Sequence, residues 1–362
     1  MHEMTYRHCV AEGTPYEVGF QLGKQLSGDK KLIKDMITPL FGGPPLPQKQ
    51  VEETAALFEK YIPGINEEIK GFSEAANVSY IDMVIYSSYL NIPGGCSHFV
   101  LLRENEYLKK IYHARNYDYD YSESPILITA RTNGKYYNTG FGCKVFGRFD
   151  GINDQGLCVT TSSVDLKFTG CMGNGFIFPM VVRAILEQCA CAYEAKEMLM
   201  EMPYAEYRNF LLSDKSGAAM LIEVSPNKKT LKNVCLDAHY GYLSSSNHFA
   251  LEQDTNLQPV QNSIIRKQKM DEILSAGKNM SLDNVKELLA KRYPDGLSFP
   301  YYQNGMGTLW SVIYEPDASL QHICFGSPEW GVWRTLKHHD ATSYTETVVK
   351  LNDLEAPGDL WE

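Results

Sequence analysis

NIPGGCSHFV, residues 91–100, sets two glycines directly before a cysteine, with polar residues on one side and an apolar strand on the other. A turn leading into a strand with a buried thiol satisfies this pattern. So does a peptide bond built to break. If the bond before Cys96 were cut, the new α-amino group would titrate at about 7.7–8.0, as in model peptides, and act as base for its own thiol at neutral pH. One residue would then supply nucleophile and base together. Gly94 and Gly95 suit that chemistry, because residues without Cβ take strained conformations and let the thiol approach the preceding carbonyl.

The next strand strengthens the second reading. HARNYDYD, residues 113–120, places Arg115 and Asp118 three apart, after a turn that returns the chain beside the Cys96 strand. A guanidinium close to a thiol favours the thiolate. A carboxylate there can orient the amine or take one of its protons. Strand alternation puts the two side chains on opposite faces, so both serve one site only if the backbone bends or bulges near Asn116. A surface ion pair is the alternative.

The whole chain has 362 residues, 44% hydrophobic and 22% charged, which is the composition of an ordinary folded protein large enough to be an enzyme. Its net charge is −10 and no basic stripe is interleaved with aromatics, so nucleic acid is not an expected partner. The first residues carry no cationic region followed by an apolar block, and FIFPMVVRAIL (176–186) is interrupted by Pro179 and Arg183. No membrane association is expected, and a cytoplasmic location is the default. Nine scattered cysteines do not form a disulfide framework. Cys189 and Cys191 fall within one predicted helix, where i and i+2 side chains diverge, and His338, His339 and Asp340 lack spaced partners, so no metal site is expected.

Residues 15 to about 90 read mostly as helices, broken by a loop at FGGPPLPQKQ (41–50). SHFVLL (97–102), KIYHARNY (110–117), ILITART (126–132) and GLCVTTSSV (156–164) read as strands, and residues 178–202 as a helix. Strands at NFLLSD (209–214), AAMLIEVSP (218–226) and GYLSSSNHF (241–249) precede helices at 264–277 and 282–293. A last strand pair follows at 307–316 and 320–328. Runs of each type favour a layered α+β architecture, and no nucleotide-binding glycine fingerprint is present.

Five segments, in order, carry a resemblance: GGCSHF (94–99), HARNYDYD, GRFDGINDQGLCVTTSSV (147–164), VVRAILEQCACAYEAKEML (181–199) and LSSSNHF (243–249). Together they resemble the N-terminal nucleophile (Ntn) hydrolases of the choloylglycine hydrolase and acyl-coenzyme A:isopenicillin N acyltransferase type, which act on linear amides. GTPYEVGFQLG (13–23) resembles the acyltransferase branch, whose members keep a helical segment before the nucleophile.

The resemblance implies a four-layer αββα sandwich with an N-terminal helical segment. Residues 1–95 would be a pro-segment or small fragment, cleaved or retained, and residues 96–362 the catalytic domain. It implies autocatalytic scission between Gly95 and Cys96, with Cys96 as nucleophile and Arg115 and Asp118 as its companions. Asn247 would donate to the oxyanion, where one well-placed donor is worth about 3–4 kcal/mol of barrier. Arg266 aligns loosely with another family arginine, and Ser163 with a second oxyanion donor through its backbone N–H. Ser97 stands where many relatives have Thr, and Ala114 where Gly is common; neither change removes a reacting group. Tyr117, Tyr119, Tyr121, Phe141, Phe146 and Phe149 form either an acyl-binding wall or core.

The expected reaction is hydrolysis of a small N-acyl amide through a Cys96 thioester, without cofactor. Acyl transfer to a second amine, a Cys–His thiol protease using His248, and a non-enzymatic single-chain binding protein are the alternatives. Oligomeric state is not legible.

Overall fold

The computed structural model describes residues 2–37, 47–88, 95–104, 109–164, 175–235, 239–252, 259–277, 280–337, 340–358 and 360. Gly94, His338, His339 and residues 41–46 of the predicted loop lie outside these.

Two sheets pack face to face. The larger runs β10 (Lys229–Asn233), β9 (Ala219–Val224), β8 (Arg208–Ser213), β7 (Cys158–Ser163), β6 (Asp150–Asn153), β5 (Asn138–Gly142), β4 (Ile126–Thr132), β1 (His2–Gly13) and β16 (Thr345–Leu351). The smaller runs β11 (Tyr240–Ser245), β2 (Gly95–Glu104), β3 (Lys109–Tyr119), β13 (Met306–Glu315), β14 (Leu320–Phe325) and β15 (Trp333–Lys337), with β12 (Pro300–Tyr301) beside β13. Among these pairings only β1 with β4 is parallel.

Helices cover both outer faces. After β1 come α1 (Pro15–Leu26), α2 (Lys30–Ile37), α3 (Gln48–Tyr61), α4 (Ile65–Ala76) and α5 (Tyr80–Ser88). Of these, α1 lies against β1 and β4, on the larger sheet, and α4 packs along α1. The same sheet carries α6 (Phe178–Gln188) and α7 (Ala192–Glu201), while α8 (Gln261–Ala276) and α9 (Leu282–Ala290) cover β11, β2 and β3 of the smaller one. The architecture is α+β, in four αββα layers with a helical front segment.

The apolar run SHFVLL has no polar alternation because β2 is covered on both sides. Phe99 and Leu101 meet Met270, Leu274 and Leu289 of the helical layer, whereas Val100 and Leu102 meet Leu211 and Leu221 of the opposing sheet. The front helices dock as closely as glycine allows. A Cβ on Gly19 would lie 1.9 Å from the Glu68 carbonyl, and one on Gly71 2.2 Å from that of Tyr16. At the same junction the buried Glu68 carboxylate receives the Arg183 guanidinium of α6, with Nη1 to Oε1 at 2.8 Å, and Glu187 accepts from Arg183 Nη2 at 2.8 Å.

Three sequence expectations need correction. The predicted helix 178–202 is two helices, because Cys189 and Cys191 adopt extended backbone (φ −106°, ψ 131° and φ −149°, ψ 169°). The two cysteines are therefore not on helical positions, and Cys189 Sγ lies 3.9 Å from Met198 Sδ. Strands β1, β5, β6, β10, β12, β15 and β16 were not anticipated: β5, β6, β10 and β12 are short, β1 alternates cleanly only at Met4 and Tyr6, and β15 and β16 are largely solvent-facing edge strands. The predicted 41–50 loop ends early, since Gln48–Gln50 already belong to α3. Among the described residues no group of three His, Cys, Asp or Glu side chains is arranged to hold a metal, and no helix is long and apolar enough to cross a membrane.

Candidate active site

Cys96 is the second residue of β2, buried, and its two ends face different neighbours. Its backbone N–H donates to Asn247 Oδ1 at 2.8 Å, and its Sγ accepts from Arg115 Nη2 at 3.2 Å. The ladder pairs Cys96 with Tyr117 and His98 with Arg115, so the thiol and guanidinium share the face turned toward the larger sheet. Burial pushes the Cys96 thiol up, while the Arg115 charge pulls it back down and Asp118 adds to the rise.

Arg115 is itself fixed from behind. Its Nη1 donates to Asp150 Oδ2 at 2.9 Å and to the Phe149 carbonyl at 2.8 Å. Asp150 also accepts from Trp310 Nε1 at 2.9 Å and the Tyr314 hydroxyl at 2.8 Å. Trp310 stacks on Tyr117 with centroids 4.0 Å apart. A guanidinium held by a saturated carboxylate loses little freedom when it binds sulfur.

Asp118 approaches from the other face. It pairs with Gly95, and its Oδ1 accepts from Thr308 Oγ1 at 2.6 Å. Asp118 Oδ2, fully buried, has no hydrogen-bond partner among the described residues. Burial raises the carboxyl to about 7, against the lowering influence of Arg266, Thr308 and Arg115. The expected bend near Asn116 is absent: β3 keeps continuous register with β2, and the irregularity lies in the neighbouring strand, between Thr308 and Trp310 of β13. Cys96 sits at a strand end: Arg115 reaches its sulfur on one face, and Asp118 stands across from the preceding Gly95 on the other.

Asn247 follows β11. Its Oδ1 takes the Cys96 N–H and Arg266 Nη2 (2.8 Å), two donors that fix the amide's orientation, and Nδ2 therefore faces the Ser163 carbonyl (2.9 Å) and hydroxyl (3.1 Å). Arg266, from α8, also donates to the Cys96 carbonyl and to Ser97 Oγ (3.0 Å), and is held by Asn262 Oδ1 at 2.9 Å. Five candidates, Cys96, Arg115, Ser163, Asn247 and Arg266, thus form one hydrogen-bonded network, and Asp118 lies beside it, bonded to Thr308 and paired in the ladder with Gly95. Ser163 meets Asn247 through its carbonyl and hydroxyl oxygens.

His248 is turned to a different task. Its Nδ1 lies 2.8 Å from Ser263 Oγ and 3.2 Å from Ser246 Oγ, and burial with the Arg266 and Lys267 charges lowers its pKa to about 4. Of the aromatic candidates, Tyr117, Phe141, Phe146 and Phe149 are core, and Tyr121 is 37% exposed.

Asp150, Thr308 and Ser263 were not singled out from sequence. Asp150 stands inside the quoted GRFDGIND segment, between Phe149 and Gly151; Thr308 comes from a remote strand and Ser263 from a remote helix, and neither carries a local signal.

The sequence model of the family "Acyl-coenzyme A:6-aminopenicillanic acid acyl-transferase" matches residues 103–330, more than half of the chain, beginning just after Cys96. Among solved structures, the chain is similar to a Caenorhabditis elegans N-acylethanolamine-hydrolyzing acid amidase ortholog at 16% identity (60% of this chain, 93% of that one, TM-score 0.42). It is similar to penicillin V acylase from Agrobacterium tumefaciens at 16% identity (72% and 100%, TM-score 0.43). A conjugated bile acid hydrolase from Clostridium perfringens matches at 13% identity (72% and 99%, TM-score 0.45). The chain belongs to the acyl-coenzyme A:6-aminopenicillanic acid acyl-transferase family, enzymes of the Ntn-hydrolase type.

Proposed function

We propose that this protein cleaves its own Gly95–Cys96 bond and then hydrolyses a small N-acyl amide through a Cys96 thioester. The observation that carries the reading is the double hold on one residue: sulfur at 3.2 Å from Arg115 and nitrogen at 2.8 Å from Asn247. In maturation, Sγ attacks the Gly95 carbonyl carbon, the C–N bond gives way to a thioester, and water releases the Gly95 carboxylate. Cys96 then carries a free amine between Asn247 Oδ1 and the Asp118 carboxylate.

In turnover, the thiol proton passes to that amine as Sγ attacks the substrate carbonyl. Asn247 Nδ2 and the Ser163 backbone N–H hold the oxyanion, and the amine returns the proton to the leaving nitrogen. Water then adds to the thioester, its proton is taken by the same amine, and the acid departs. The family's description favours a second outcome, in which another amine replaces water. Hydrolysis needs no second binding site. A thiol protease through His248 has less support, because both hydroxyls around its Nδ1 hold it and its hydrogen bonds among the described residues do not include Cys96.

Intact-mass spectrometry with amino-terminal sequencing tests the reading. Fragments 1–95 and 96–362 are expected from the wild type and one chain from Cys96→Ala, which is also inactive. A Cys96→Ala protein that matures and turns over amides overturns it. Loss of turnover in His248→Ala with normal maturation would favour the protease instead.

A further inference from the structure

The polar groups around Cys96 rest on a small apolar cluster that the segment after β16 completes. Leu360 is buried, 1% exposed, and clusters with Phe299, Tyr301 and Met306, while Ile265 of α8 and Leu354 pack against the same group. The segment is also held through its backbone. The Leu354 N–H donates to the Pro300 carbonyl at 2.8 Å, and Asp353 Oδ1 accepts from the Gln303 N–H at 3.2 Å. Further on, the Leu360 carbonyl accepts from Asn262 Nδ2 at 2.6 Å.

From this cluster, contacts run to both sides of the bond before Cys96. Asn262 turns its other amide atom, Oδ1, to Arg266 Nη2 at 2.9 Å, one turn along α8. A carbonyl needs a donor and a guanidinium an acceptor, so Leu360 and Arg266 together fix which way the Asn262 amide points. Arg266 in turn holds the Cys96 carbonyl, Ser97 Oγ and Asn247 Oδ1. Its Nε has no hydrogen-bond partner among the described residues, and its guanidinium lies over the Phe299 ring at 5.3 Å, so its aim depends on Asn262 and on the cluster. Phe299 also holds Thr308, the Asp118 partner: its N–H donates to Thr308 Oγ1 at 2.9 Å and its carbonyl accepts from the Thr308 N–H at 2.7 Å. Met306 packs on Gly95 itself, where an added Cβ would meet its Sδ at 2.7 Å.

We infer that Asn262 and Leu360 are positioning residues for scission at Gly95–Cys96: docking of the segment after β16 aims Arg266, which with Asn247 holds the Cys96 peptide groups where Sγ can attack. This rests on the self-cleaving hydrolase reading above and adds a condition to it. Neither residue touches the reacting atoms. The segment lies C-terminal to every residue of the site and is made after them, so Cys96 stays uncut until the fold around it is closed.

The test follows scission of the full chain by intact-mass spectrometry, at a temperature well below the Tm of each variant. Leu360→Asp places a charge in the cluster and should slow the appearance of fragments 1–95 and 96–362 by about 10- to 100-fold, the effect of a small misplacement of reacting groups. Leu360→Met keeps the apolar contact and should cut at close to the wild-type rate. Asn262→Ala breaks the link to Arg266 without charging the cluster and should slow scission over the same range. Should Leu360→Asp fail to fold, Asn262→Ala carries the test. A folded Asn262→Ala or Leu360→Asp protein with lowered Tm but wild-type scission overturns the inference, since docking is then structural only, and leaves the hydrolase reading intact. A wild type that stays one chain overturns it together with the autoprocessing reading.

Discussion

Arg115 and Asp118, three residues apart on one regular strand, address Cys96 from opposite faces of the smaller sheet: Arg115 meets the sulfur, and Asp118 stands across from Gly95 at the nitrogen end. Strand alternation sends the two side chains to opposite faces, and under the proposed mechanism each face serves a different end of Cys96. It puts the guanidinium on the sulfur side of a strand terminus and the carboxyl on the other side, while β3 keeps its register with β2.

The burial of the Asp118 carboxyl should make the uncleaved chain sensitive to pH. In the folded chain its carboxyl is raised to about 7, against about 3.9 when unfolded. The folded form holds a proton the unfolded one has already released, so its stabilising contribution is complete below about pH 4 and lost as pH rises through about 7. A shift of that size is worth up to about 4 kcal/mol. Thermal unfolding of single-chain Cys96→Ala should lose stability across this window relative to the Cys96→Ala, Asp118→Asn protein. Equal slopes in the two would show that Asp118 is ionised throughout.

Much of this geometry was legible in the sequence because its pieces are local. GCSHF (95–99) and HARNYDY (113–119) sit on adjacent strands close in sequence, so pairing alone brings Cys96 to Arg115. Asn247 and Arg266 required the resemblance, since nothing in SNHF (246–249) or in the segment around Arg266, NSIIRK (262–267), states which strand end they face. Asp150 and Thr308 stayed hidden for a different reason: each acts through another side chain, from a strand whose neighbours are fixed only by the tertiary fold. Strand β1 was missed because its apolar residues fall on both faces between β4 and β16, which blurs the period-two signal.

Arg115 should set the ionisation of the thiol. Burial raises Cys96 and the guanidinium opposes it, so in Arg115→Gln the thiolate should require a pH higher by about 1–3 units. The pH dependence of alkylation by iodoacetamide reads this directly. The same variant leaves Asp150 without its cation, a buried charge whose loss of partner costs about 3–5 kcal/mol, so Tm should also fall. Alkylation with an unshifted profile would mean that the guanidinium is structural only.

Ser263 should act on catalysis through Asn247. Its hydroxyl accepts the Asn247 backbone N–H at 2.8 Å and lies 3.0 Å from Ser246 Oγ, tying α8 to the segment that carries the amide. Ser263→Ala is expected to lower kcat about 10-fold with little change in KM, and Ser263→Thr to recover most of it. Asn247→Ala, which removes the proposed donor itself, should cost about 10²- to 10³-fold. A Ser263→Ala protein with kcat intact would show that Asn247 holds its place without this tie.

Scission at Gly95 should not release the front segment. Strand β1 lies inside the larger sheet, hydrogen-bonded to β4 on one side and β16 on the other, and the described ladder gives β16 no partner but β1. Glu68 of α4 is buried against Arg183 of α6, across the same junction. Fragments 1–95 and 96–362 should therefore co-elute in size-exclusion chromatography at neutral pH and part only in denaturant. Glu68→Gln keeps the shape but leaves Arg183 with Glu187 as its remaining carboxylate, and breaking one partner of such a buried pair costs about 3–5 kcal/mol. That variant should unfold at lower denaturant concentration, with both fragments lost in one transition, because the departure of β1 strips β16 of its ladder partner and leaves β4 as a bare edge. Separation of the fragments before the core unfolds would instead mark residues 1–95 as a removable pro-segment.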